Sequence, residues 1–216
     1  LEENQEWLQT IPPGEYAGSV KVTPIDPSLA AKSLPLTLNV LPVGLPVRMP
    51  ISVYNWDYAD DEYEVADLAA HHVNVFLMST QPRMSFDDEG NPVGEVDWTG
   101  YDRMLQVKLR YARRLGGSIM FSYGIIRDFH RRMSSRHGWE FMSDPWKKAF
   151  RAWVLEFERH LRDDIGMDYD EYSVQLWDEA TGEYAELTVE AGEFIRTFAP
   201  KIRTCMDGVQ SAAEVR

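Results

Sequence analysis

The sequence predicts an α/β protein with a parallel sheet, entered through a short run of antiparallel β structure. Three observations carry that expectation. After Pro50, strand-like and helix-like patterns alternate four times and a fifth strand-like run begins, the layout of a parallel sheet with crossover helices. Before Pro42, apolar residues recur at every second position, which marks strands with one buried face. Between the two, Pro42, Pro46 and Pro50 mark a stiff linker, and the boundary falls there, with residues 1–48 on one side and 49–216 on the other.

In chain order, "PPGEYAGSVKVTPI" opens with a Pro13-Gly14 turn signal and then alternates through Tyr16, Gly18, Val20 and Val22. "SLPLTLNVLPV" places Leu34, Leu36, Leu38 and Val40 on one face. Two or three strands do not make a stable domain alone, so these are expected to be the last strands of a β-sandwich. Beyond Pro50, strands are predicted at 51–58, 73–79, 118–124, 172–177 and from 203. Helices are predicted at 60–72, with acidic residues in the first turn, and at 98–117, ending on Gly116-Gly117. The clearest helix is 144–166, where Pro145 sits in the first turn and Trp146, Ala149, Phe150, Trp153, Val154, Phe157 and Leu161 follow helical spacing. A fourth covers 187–202. Both a doubly wound sheet and a (β/α)₈ barrel accommodate this order. The first strand–helix connection carries no Gly-rich fingerprint, which counts against a dinucleotide-binding sheet.

The chain has 216 residues, 44% hydrophobic and 26% charged, the profile of a soluble globular protein. No apolar run reaches the roughly 18 residues of a membrane span. The opening "LEENQEWLQT" has neither an initiator Met nor a basic region leading into an apolar one, so no signal peptide is read there and the chain is expected to be a fragment. A net charge of −13 argues against nucleic acid and anionic membranes as partners. The single Cys205 rules out an internal disulfide and a cysteine-rich zinc site. His71 and His72 are expected to pack or to serve the helix dipole at the end of the first helix. The three other His residues are too scattered for a metal centre, and "DDEGNPVGE" (87–95) reads as a hairpin turn, since it lacks the spacing of a calcium loop. No metal or cofactor is called for.

Three segments carry a resemblance. "PPGEYAGSVKV…LPLTLNVLPVGLP" resembles the closing strands of the accessory β-sandwich that precedes the catalytic barrel of certain glycoside hydrolases. "FDDEGNPVGEVDWTGYDRMLQVKLRYARRLGG" is similar to their second strand–helix connection, and "QLWDEATGEYAELTVEAGEFIRTFAPKIRT" to their fourth. The family is that of the β-N-acetylgalactosaminidases and their uncharacterised barrel relatives. The resemblance implies the tail of a β-sandwich followed by a partial (β/α)₈ barrel, about its first five strands, in a protein that is secreted or periplasmic. It also implies a retaining hydrolase in which the substrate's own acetamido group attacks the anomeric carbon. Glu179 would be the acid/base and Asp178 would polarise that group.

The residues themselves place Asp178 and Glu179 where the fourth strand ends, the end at which barrels carry their sites. The competing reading is a solvated loop or a helix cap. Asn55, Trp56, Asp57 and Tyr58 close the first strand, and Tyr123 and Trp177 close two others; aromatic faces stack on sugar rings, or else pack the interior. Gln81 and Arg83 follow the second strand. The basic stretch 127–140, with His130, Arg131 and His137, is expected as a long loop beside the site. A barrel needs eight strands, so the missing half is itself an expected partner, and this piece alone is expected to be inactive or nearly so. Two other functions stay open: a conventional two-carboxylate glycosidase whose nucleophile lies beyond residue 216, and a carbohydrate-binding or scaffold barrel without activity.

Overall fold

The strands and helices fall into two units, Leu1–Pro46 and Val47–Arg216. The structure is a computed structural model and describes residues 11–26, 28–44, 46–78, 82–122 and 125–206. In the first unit, β1 (Gly14–Val22) and β2 (Lys32–Val40) form an antiparallel hairpin in which Tyr16 opposes Leu38 and Val20 opposes Leu34. Opposed residues share a face, so Tyr16, Val20, Leu34, Leu36 and Leu38 line one side, and all are exposed. The hairpin is the whole sheet here, and among the described residues no second sheet faces it. The expected β-sandwich is therefore corrected. Alternation reports that one face is apolar; it says nothing about how many strands line up or what lies over them.

The second unit begins with α1 (Glu62–Ala70), capped by the Asp61 side chain on the Glu64 N–H at 2.9 Å. Next come β3 (Val75–Met78), the small hairpin β4 (Ser85–Phe86) and β5 (Pro92–Val93), and α2 (Thr99–Leu115). β6 (Ser118–Phe121), α3 (Ile125–His137), α4 (Asp144–Arg159), β7 (Tyr172–Gln175), α5 (Glu183–Arg196) and β8 (Thr204–Cys205) complete it. β3, β6, β7 and β8 pair in that order, all parallel.

This sheet corrects the partial-barrel expectation. It is an open, four-stranded parallel sheet, and its outer strands β3 and β8 do not pair with each other. The predicted first strand, 51–58, shrinks to a single parallel bridge between Tyr54 and Val75. Asn74 explains why. Its side-chain oxygen accepts from the Val53 N–H at 2.7 Å and its amide donates to the Ile51 carbonyl at 3.0 Å. A side chain thus takes the backbone groups that a strand ladder would use. Asn74 is 1% exposed, so its amide has to be satisfied inside the protein.

The same residue governs the approach of β6. The Asn74 carbonyl accepts from the Ser118 N–H at 3.0 Å, and a Cβ on Gly117 would stand 1.7 Å from that oxygen. Gly117 is a glycine because the backbone leading into β3 passes there.

The core combines aliphatic side chains with a continuous row of aromatic rings. Trp146, Phe150, Trp153 and Phe157 run along the buried side of α4, each 3% exposed or less, with successive rings stacked. Each such side chain contributes about 1.5–3 kcal/mol by leaving water. The helix gives way to a π-helical turn at His160–Asp164. There His160 is held between Asp102 (2.7 Å) and Asp164 (2.8 Å) and lies flat on Trp98, ring centroids 3.8 Å apart.

Arg113, in the last turn of α2, grips Glu171 just before β7 through two bonds of 2.6 and 2.8 Å. That guanidinium, helped by the Asp168 N–H, holds the Glu171 carboxyl below its ordinary value of 4.5.

Two outcomes follow from these contacts. Gly117→Ala should destabilise the protein by about 3 kcal/mol or more through the clash with backbone, and Asn74→Leu by about 2 kcal/mol or more through unpaired amides; denaturant melts measure both. Glu171's folded value is depressed, so its contribution is present above about pH 4.5 and fades as pH falls through the lower folded value. Melts at neutral pH and at about pH 3 should therefore differ less for Glu171→Gln than for the wild type.

Candidate functional site

Parallel strands bring all their C-terminal ends to one edge, and ligands of open α/β sheets bind along that edge. β7 reaches it at Gln175, and the chain continues through Leu176 and Trp177, 5% and 7% exposed. Asp178 is half-buried, Glu179 is exposed and Ala180 is buried completely. The two carboxylates are thus presented by a short arch pinned at both ends. Glu179 has φ 53°, in the left-handed region that a side chain with a Cβ seldom occupies. Adjacent side chains on a regular strand point to opposite faces; the left-handed residue ends that regularity between the two acids.

The helix-cap reading does not hold. α5 begins at Glu183 and its N-cap position is Gly182, so neither acid caps it. The helix starts earlier than the expected 187 and brings Tyr184 into its first turn, where the ring stacks on Trp177 with centroids 5.0 Å apart. Gly192 lets α5 lie close, since a Cβ there would be 3.1 Å from the Leu176 side chain.

The expected loop at 127–140 is mostly helix α3. Ile125, Ile126, Phe129 and Met133 are its buried face, a pattern masked in the sequence by the intervening Arg, His and Ser. The Ile126 N–H donates to the Leu176 carbonyl at 3.3 Å, which ties the start of α3 to the segment leading into the pair. Arg127, His130, Arg131 and Ser134 occupy helical spacing on another face. Together with Trp177 and Tyr184 they line an open groove of about 660 Å³. Burial pushes the His130 imidazole below its ordinary value.

The segment after the Tyr54 bridge reaches the same edge. Ser122, following β6, donates to the Tyr58 hydroxyl at 3.1 Å. Lys108 of α2, 3% exposed, donates to the carbonyls of Tyr58 and Leu77. Burial pushes its amine down to about 8, against the pull of Asp60, Asp57 and Glu64. Trp56 and Asp57 are exposed, as is Asn55; Trp56 meets Tyr54 edge-on at 5.8 Å, and Asp57 accepts from the Ala59 N–H at 3.1 Å. Arg83 is exposed; burial, and after it the charge of Arg83, lowers the Arg132 guanidinium on α3. Tyr123 and Gln81 lie outside the described residues. Lys108, Tyr184, Arg127 and Ser134 were not singled out by sequence; for the last two, the helical spacing of the basic stretch was the usable signal.

Among the described residues, no three His, Cys, Asp or Glu side chains are grouped to hold a metal ion, and no helix is long and apolar enough to cross a membrane. No protein-family model matches the chain, and a search of curated proteins returns no match.

The left-handed backbone at Glu179 has a measurable signature. Glu179→Gly should be more stable than Glu179→Ala by about 1 kcal/mol, because only glycine adopts that region without strain. Alanine ahead of glycine, the usual order in helices and strands, would show that residue 179 is not held there.

Proposed function

We propose that the protein hydrolyses glycosidic bonds, with Glu179 as general acid/base and Asp178 as its partner. One observation supports this reading above the rest: two adjacent carboxylates stand at the C-terminal edge of a parallel sheet, on an arch whose second acid occupies a left-handed conformation. Unusual backbone of this kind persists where the surroundings over-determine it and collects at working sites. The exposed Tyr184, backed by the buried Trp177 on which it stacks, offers the apolar face that a sugar ring takes. The likeness of "QLWDEATGEYAEL" to the β-N-acetylgalactosaminidase family points the same way, and so favours an N-acetylhexosamine as the sugar.

In this reading the protonated Glu179 gives its proton to the glycosidic oxygen as the C1–O bond breaks. The acetamido carbonyl oxygen of the substrate closes on C1, while Asp178 accepts a hydrogen bond from the acetamido N–H and stabilises the positive charge that develops. Glu179, now a carboxylate, takes a proton from water, whose oxygen opens the ring at C1. The product keeps the anomeric configuration of the substrate, and Glu179 is again protonated.

The test is turnover of aryl β-N-acetylhexosaminides and their 2-hydroxy counterparts. The protein should cleave only the N-acetyl compounds, and Glu179→Gln should lower kcat by about 10²–10⁴-fold. Equal cleavage of both series would point to a conventional pair of carboxylates. Binding of sugar with no turnover would leave a carbohydrate-binding protein.

A further inference from the structure

We infer that the groove between α3 and the Trp177–Tyr184 stack receives a negatively charged substituent of the sugar, a carboxylate or a sulfate ester. The inference rests on the glycosidase reading for the identity of the ligand as a sugar. Its own grounds are the charge and position of the groove.

The chain carries a net charge of −13, yet α3 concentrates Arg127, Arg131, Arg132 and Arg136 against a single acid, Asp128. Arg127 and Arg131 both line the groove and, among the described residues, no carboxylate does. Among the described residues, the exposed Arg131 engages no acid and Arg127 pairs only with its sequence neighbour Asp128, at 3.8 Å. Since burial lowers His130, the groove's positive charge rests on the two arginines, which stay charged at any working pH. A guanidinium presents a fork of donors matched to carboxylate and to sulfate-like oxyanions. Ser134 adds a hydroxyl one turn along the same face.

Position supplies the rest. Trp177 is both a wall of the groove and the residue immediately before Asp178. The Ile126–Leu176 hydrogen bond fixes the start of α3 against the same segment. A ring resting on the exposed Tyr184 at the groove wall would have its anomeric centre toward the acids and a substituent toward α3. A cationic patch beside the site would also steer an anionic substrate through the protein's overall negative field.

The experiment compares one aryl β-N-acetylhexosaminide with its 6-O-sulfate and with the corresponding 2-acetamido-2-deoxyhexuronide. Turnover and calorimetric binding are followed for the wild type, Arg131→Ala and Arg131→Lys. At least one anionic compound should be preferred about tenfold or more in kcat/KM over the neutral one, chiefly through KM. That preference should shrink with added salt, collapse toward unity in Arg131→Ala and return in part in Arg131→Lys. Which of the two compounds leads assigns the groove to sulfate or carboxylate. Glu179-dependent cleavage with no anionic preference would overturn the groove inference and leave the proposed function standing. Tighter binding of an anionic compound, lost in Arg131→Ala but without turnover, would uphold the groove and overturn the glycosidase reading. Neither turnover nor binding of any of the three would overturn both.

Discussion

Everything at the sheet's working edge hangs on one buried amide. Asn74 carries the backbone of Ile51 and Val53 on its side chain, while its own carbonyl receives Ser118. These bonds are made in a place that water does not reach, where each unpaired group would cost about 1–3 kcal/mol. The incoming segment, β3 and β6 are therefore locked in one register, and Gly117 is the residue that lets the backbones meet. Lys108 extends this order to the opposite end of β3. Its ammonium reaches the carbonyls of Leu77 and Tyr58, and so holds the aromatic segment 54–58 where the strands finish.

From that frame the site follows by packing. The ring ladder of α4 and the edge-on contacts of Phe121 with Phe157 and Tyr172 fill one side of β6 and β7. With β7 immobilised, Leu176 and Trp177 are buried and the chain has to turn before Ala180 is buried again. The two residues left between are acids, and the turn is made at Glu179 in a conformation that costs about 1–2 kcal/mol for an L-residue. A loop selected only for stability would place glycine there. In the proposed reading, a glutamate there is the kind of local conflict expected where function outweighs stability.

Much of this was legible in the sequence because it depends on local periodicity. The rows of β1 and β2, the stripe of α4 and the Gly116 stop after α2 all repeat a pattern within a few residues, and Gly116 takes φ 70° as a helix stop should. What was misread depends on partners far away. Whether the strands close into a barrel is decided by pairings between chain ends, and whether a hairpin belongs to a sandwich is decided by a second sheet. The first strand gave way at its start to the side chain of Asn74 and at its end to Lys108, which no period-two pattern can announce. α3 was hidden because its four apolar positions are interleaved with six Arg and His residues. Asp178 and Glu179 were visible as a pair at a strand end, but their arch and the Tyr184 stack needed the helix start at Glu183.

The central claim is that Asp178 and Glu179 form one reacting site, with Asp178 holding the acetamido group. A bicyclic thiazoline derived from N-acetylhexosamine imitates the ring-closed intermediate, and mimics of this kind bind roughly 10²–10⁸-fold more tightly than substrate. Calorimetric titration of this compound into wild type and Asp178→Asn tests the claim most directly. The account predicts tight, stoichiometric binding by the wild type, weakened at least about 10²-fold in the variant. Equal affinity in both proteins, or no binding by the wild type, would contradict it.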